Sequence, residues 1–368
     1  MNKEKINCIQ LFSILFFVMT CSLTGMGLIA VLKKTSVDAY LCPLIASILG
    51  IPLIIMFIII SNYKPELTFG EKIIDVFGKV LGTIINYLFI ILVFFFSVAL
   101  LYNLSTFIVS QFLPETPSYI VAFLFMLIII YINIKGIETM SRVSLLLLSI
   151  TLIFFLITVL GLTKTFEIDN LKPFLEYGFK NPFSGSLYIL FLNYFPLFTL
   201  LTIPKQQITD KKNYTKYFII AYIASTLFMF IMILITLGNL GINLAQLYQY
   251  PEYIVLKRIN ILDFLDRIEN LLSIQRILKL FITLSFYTYF ISNTIKPHNK
   301  SKIIPCAIFI PITFLSQKIY KNTTQFNHFV LKYIPLYRII FIIIMIIVFI
   351  GIYIKYKKSK YKSWYLLF

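Results

Sequence analysis

The chain is short of acid. Fifteen Asp and Glu stand against 33 Lys and Arg in 368 residues, a formal net charge of +18. No Asp or Glu falls well inside any of the long apolar runs. A proton-driven transporter usually keeps an ionisable group in its pathway, so the shortage weighs against proton coupling; backbone carbonyls still leave Na⁺ open. Histidine is scarcer: there are two, His298 and His328, both in connecting segments and without a second ligand at metal-site spacing. The four cysteines, Cys8, Cys21, Cys42 and Cys306, sit in or beside apolar runs without C-x-x-C spacing. That argues against a disulfide framework or zinc site and fits small packing residues. There is no H-E-x-x-H, P-loop or G-x-S-x-G, and Ser184-Gly185-Ser186 has neither the glycine spacing nor the preceding strand of a nucleophile elbow. Acids such as Asp266 and Glu269 read as a solvated helix face rather than a transferase centre. The expectation is a protein that is not an enzyme, with no catalytic residue, cofactor or metal site.

What is abundant is apolar length. The sequence is 59% hydrophobic with a mean hydropathy of +0.89, against about 45–50% apolar in soluble domains. The expected fold is an all-α polytopic membrane protein, with 1–368 as one transmembrane domain. Ten spans of about 20 residues are expected near 8–31, 39–61, 80–110, 118–134, 143–163, 183–203, 215–239, 270–294, 303–319 and 333–354. The first run is too long for a signal-peptide core and lacks a small-x-small cleavage site, so it reads as a retained helix. An even count puts both termini on one side. The connections on that side carry the excess of Lys and Arg, including Lys296, Lys300 and Lys302, so both termini are expected to be cytoplasmic. The positive charge suits the surface of an anionic bilayer and not nucleic acid, since no basic stripe lies on a soluble fold.

Three connections carry structure of their own. Thr68-Phe69-Gly70-Glu71 fits a capping box opening a short amphipathic helix on the cytoplasmic interface. The external segment 164–182 is polar and turn-rich. In 240–269 and just beyond, Ile261, Leu262, Phe264, Leu265, Ile268, Leu271 and Leu272 recur at helical spacing, with Asp263, Asp266, Arg267 and Glu269 on the other face. These predict a surface helix over the outer mouth. Arg276 and Lys279, just inside the eighth span, read first as snorkelling residues or as lining of the outer vestibule, and second as buried groups with a coupling role.

Helix-weakening residues pair up across the chain. Thr24-Gly25-Met26-Gly27 interrupts span 1 and Asn193-Tyr194-Phe195-Pro196 interrupts span 6, five spans apart. A broken membrane helix frees backbone groups that lipid cannot satisfy. Paired breaks in two halves mark the substrate site of inverted-repeat transporters. The halves are about 1–163 and 183–354, a five-plus-five inverted repeat with helices 1 and 6 broken. Gly25 and Gly27 permit positive φ and close approach, and an unwound helix aims N–H groups at an anionic group such as a carboxylate. Asn193 and Tyr194 add polar groups beside Pro196. Tyr102 and Asn103 in span 3, with Tyr287 and Thr288 in span 8, are further candidates.

Several stretches resemble one family. Phe77-Gly78-Lys79-Val80-Leu81-Gly82 precedes span 3. Asn170-Leu171-Lys172-Pro173-Phe174-Leu175, followed by Gly178, precedes span 6. Tyr250-Pro251-Glu252 and Asp263-Phe264-Leu265-Asp266-Arg267-Ile268-Glu269 precede span 8. In order and spacing these resemble the spore germination permeases, the B-type subunits of germinant receptors in endospore-forming bacteria. The resemblance implies an amino acid–polyamine–organocation superfamily fold. It also implies a small germinant, often an amino acid, held between spans 1, 3, 6 and 8. The partners would be an A-type membrane subunit and a C-type lipoprotein in the spore inner membrane. Carried onto this chain, the ligand-binding site falls on Thr24, Gly25, Gly27, Tyr102, Asn193, Tyr194 and Pro196. Ser273-Ile274-Gln275-Arg276 departs from the more apolar, often Trp-containing run of that family. The alternative function is a secondary active transporter of amino acids, polyamines or cations.

Overall fold

A computed structural model describes residues 4–176, 178–257, 269–295 and 303–365. Each of the ten expected spans falls on a helical segment. The first comprises α1 (Cys8–Cys21), a π-turn (Leu23–Gly27) and α2 (Leu28–Thr35). Then come α3 (Cys42–Asn62), the short α4 (Phe69–Phe77), α5 (Lys79–Gln111), α6 (Ser118–Lys135) and α7 (Ile137–Leu162). The sixth comprises α8 (Lys180–Ile189), a second π-turn (Leu190–Tyr194) and a 3₁₀ stretch (Phe195–Thr202). It is followed by α9 (Tyr214–Leu247), α10 (Pro251–Lys257), α11 (Glu269–Ile295), α12 (Ile303–Lys318), α13 (Thr323–Lys332) and α14 (Ile334–Tyr365). Among the described residues, extended pairing is confined to one bridge between Ile6 and Ile208.

Seven of the described helical stretches are long and apolar enough to cross a membrane. Their outer faces are inverted relative to a soluble protein: Val80, Leu146, Leu160 and Ile310 each show more than half their surface. Apolar cover on this scale would not stay dispersed in water and is the solvated face in lipid. The chain is a multi-pass membrane protein. Lys180–Thr202 is almost wholly enclosed, whereas Ile340–Lys357 mostly faces outward, so span 6 is central and span 10 peripheral. Helix α1 packs on α7, α9 and α11, and α8 on α2 and α3.

One end of the bundle gathers the connections expected beside the termini. Ile6 N–H donates to Gln207 O at 3.0 Å and Thr209 N–H to Ile6 O at 2.9 Å. Glu4 accepts from Ile137 N–H at 2.9 Å, Gln206 N–H donates to Pro65 O at 3.0 Å, and Lys355 bonds Asp75 O. Both ends of the chain are therefore on one face, as the even span count requires. The capping box is present: Thr68 N–H donates to Glu71 at 2.8 Å, and Glu71 N–H to Thr68 Oγ1 at 3.4 Å. Gly78, at φ +81°, turns the chain from α4 into α5. Gly82 then lets the two helices touch, because a Cβ there would lie 2.7 Å from Ile74 Cα. Helix α4 does not simply float on the interface. Its Phe69 packs on Phe89 of span 3 and Phe198 of span 6.

At the opposite end, segment 164–176 is tied down by Asp38, which accepts from Leu175 N–H at 3.0 Å, and by Asn170, which donates to Gly238 O at 2.9 Å. Most of the expected surface helix (Ile261, Leu262, Asp263, Phe264, Leu265, Asp266, Arg267 and Ile268) lies outside the described residues, as do Lys296, His298, Lys300 and Lys302.

Candidate functional site

The two sequence interruptions become two π-turns. In span 1, Gly27 N–H reaches back five residues to Ser22 O at 2.8 Å, and Leu28 N–H to Leu23 O. In span 6, Phe195 N–H likewise bonds Leu190 O. Pro196, which has no N–H to give, then starts the 3₁₀ stretch. The expected unwinding is absent. Ser22 (φ −75°), Gly27 (φ −77°) and Tyr194 (φ −92°) all stay right-handed, because a π-turn absorbs its extra residue by widening the helix. Gly27 serves close approach rather than positive φ: a Cβ there would sit 2.9 Å from Ser22 O. Gly25 lies in the same turn.

Asn193 stitches the distorted helices together. Its amide donates to Met19 O at 2.6 Å, while its Oδ1, fully buried, has no partner among the described residues. Ser22 Oγ at the mouth of the first π-turn and Tyr287 OH on α11 are also buried and unpartnered. Thr24 is satisfied locally, donating to Cys21 O at 3.1 Å. Tyr287 and Pro196 line one void of about 10 Å³, and Met26 with Phe191 borders another of about 40 Å³. Neither has room for a ligand, so the centre is packed.

Not every candidate faces that centre. Tyr194 turns away: its OH meets Thr226 Oγ1 at 2.6 Å and its ring lies 4.8 Å from that of Tyr222. Asn193 and Tyr194 therefore face different neighbours, Met19 in span 1 and Thr226 in α9. Tyr102 belongs to a cavity of about 710 Å³ at the end of the bundle opposite the termini, where it lies against Tyr320 and Phe326 and shares the lining with Gln249, Tyr250 and Gln317. Thr288 is spent on Asn133, accepting at 2.9 Å.

Between the cavity and the centre sits a buried ionic node that the sequence reading missed. Arg276 pairs with Glu252 at 3.2 Å, donates to Asn103 Oδ1 at 2.5 Å, and lies 4.3 Å from the ring centroids of both Phe107 and Tyr250. Arg276 and Lys279 are 3% and 1% exposed, so neither snorkels. The absence of acid from the spans does not extend to the connections: Glu252, between spans 7 and 8, is 4% exposed. The signal available was spacing. Gln275, Lys279, Thr283 and Tyr287 recur every fourth residue on α11, one stripe of a helix, and all four are buried. A polar stripe on a membrane helix faces protein, not lipid.

A family profile described as "Spore germination protein" matches residues 5–326. The chain is 26% identical to Spore germination protein KB of Bacillus subtilis (strain 168) over 357 residues, covering 92% of this chain and 91% of that one. It is 25% identical to Spore germination protein YndE of the same organism over 296 residues, 79% of this chain and 80% of that one. To Spore germination protein B2 it is 24% identical over 263 residues, 70% and 71% of the two chains.

Proposed function

The chain belongs to the spore germination protein family, and from that premise we propose that it is the membrane-embedded, ligand-sensing subunit of a germinant receptor. The ligand is small, an amino acid foremost, and is bound where spans 1, 6 and 8 meet. The observation that carries this reading is Asn193, whose amide is half spent on Met19 O and half orphaned beside two π-turns. A buried amide oxygen without a partner costs about 1–3 kcal/mol, a cost a ligand would remove. The centre is packed, so binding requires the two sets of helices to part. The ligand then signals only by its differential affinity for the packed and parted arrangements.

The same reading has the five-helix halves as an inverted repeat, both termini cytoplasmic, and an A-type subunit and C-type lipoprotein as partners in the spore inner membrane. It assigns no catalytic step to the chain. Secondary transport is the second reading, favoured by the 710 Å³ cavity lined by Tyr102, Gln249, Tyr250 and Gln317. Uptake of a labelled amino acid into proteoliposomes under an imposed gradient would select it.

The test is calorimetry of the full chain in lipid nanodiscs against a panel of amino acids. Asn193→Leu and Gly27→Leu should each weaken the best binder by about 10- to 100-fold. Undiminished affinity in both variants would refute the site.

A further inference from the structure

We propose that Lys279 is the carboxylate-recognising group of this chain, so that its ligand class is a small carboxylate, free or as the acid end of an amino acid. The inference takes its location from the preceding proposal. It stands on a different observation, the state of the stripe Gln275, Lys279, Thr283 and Tyr287.

Lys279 is 1% exposed. Among the described residues its Nζ forms no ion pair and no hydrogen bond; it lies 5.0 Å from the centre of the Phe228 ring. The acid that shares its surroundings, Glu252, is committed to Arg276. The Cys21 thiol is close by, but a thiol is a weak acceptor. Glu252 acts on this ammonium only across space, so among the described residues it lacks the direct partner that buried charges ordinarily have.

The neighbouring groups say what is missing. Gln275, one turn before Lys279, is fully buried, and neither its Nε2 nor its Oε1 is bonded. Residues four apart on a helix lie side by side, so an ammonium and an unspent amide N–H₂ are presented together. That pair matches the two oxygens of a carboxylate. Two turns further along the stripe, Tyr287 OH is unspent, as is Asn193 Oδ1 beside the π-turns; both accept from an ammonium.

Two measurements on the full chain in nanodiscs test this. In the ligand-free protein, Lys279→Met or Lys279→Gln should raise the unfolding temperature, since each removes an uncompensated charge; a fall in both would show that Lys279 is a structural group and overturn the assignment. Acetate should raise the unfolding temperature of the native chain and acetamide should not, with neither acting on Lys279→Met. Equal effects of acetate and acetamide on the native chain would likewise overturn it. The two proposals fail separately. If an amino acid and its carboxamide bind equally, instead of differing by about 100-fold, the pocket stands and the carboxylate assignment falls. If Asn193→Leu and Gly27→Leu leave amino-acid affinity intact while acetate still protects only chains with Lys279, the pocket falls and the assignment stands.

Discussion

Two lysines of this protein are equally buried, and they do opposite things. Lys72 on α4 and Lys279 on α11 are each 1% exposed. Lys72 donates to Ile60 O at 2.8 Å and Ser61 O at 3.3 Å. Those are carbonyls of the last turn of α3, which the helix itself cannot satisfy and where positive charge is favoured. Among the described residues Lys279 has an aromatic ring and no hydrogen-bond acceptor. Burial alone therefore does not mark a functional cation. What separates a strut from a binding group is whether the protein has already supplied its partner.

Arg276 completes the series, and the series predicts an order of stabilities. Arg276→Met should cost most, about 3–5 kcal/mol, because it strips a buried carboxylate of its ion pair. Lys72→Met should cost about 1–3 kcal/mol, since two helix-end carbonyls lose a donor. Lys279→Met should cost nothing and instead raise the unfolding temperature. Thermal unfolding in one lipid composition ranks the three; Lys279→Met falling beside Arg276→Met would erase the contrast.

Lys72 also carries a pH signature. Burial pushes its pKa from 10.5 down to about 7, against the opposing pull of Glu66. The unfolded chain keeps this proton up to about pH 10, whereas the folded chain gives it up near 7. Over that window the unfolded state binds more protons, so stability rises with pH. The contribution is complete above the unfolded pKa and lost as pH falls through 7. The unfolding temperature of the native chain should climb between pH 7 and 9.5 relative to Lys72→Met. Parallel curves for the two proteins would mean that Lys72 stays charged on its carbonyls.

The positions of the helices were legible because membrane spans announce themselves by length and because Gly, Pro and Lys punctuate them. The sites of distortion were legible too: Gly27 and Pro196 sit where the hydrogen-bond register changes. The form of the distortion was not, since a glycine pair permits unwinding and π-widening alike and packing decides between them. Grouping Tyr194 with Asn193 failed on helical geometry, which sends adjacent side chains to different neighbours. The Arg276 node was out of reach for another reason. Glu252 lies 24 residues away in a connection, and nothing local says that a loop acid folds inward. The stripe on α11 was readable, had the four-residue spacing been weighed above the depth of Lys279 from the span end.

The smallest effect asks whether the Lys72 cradle is independent of the stripe. Thr68 and Glu71 close a reciprocal cap on α4, the helix that carries Lys72. Thr68→Ala removes one half of that cap and should cost about 1 kcal/mol. The lost interaction lies in α4, near the face of the termini, whereas Lys279 and Asn193 belong to α11 and the second π-turn. Sites with no shared partner add within about 0.5 kcal/mol, and contacting ones do not. Thr68→Ala combined with Lys279→Met should therefore be additive, while Thr68→Ala combined with Lys72→Met should cost less than the sum, because a loosened α4 has already weakened the lysine's grip on α3. Coupling between Thr68 and Lys279 instead would show that the α4 end and the centre move as one element, and the two lysines would have to be read as parts of a single device.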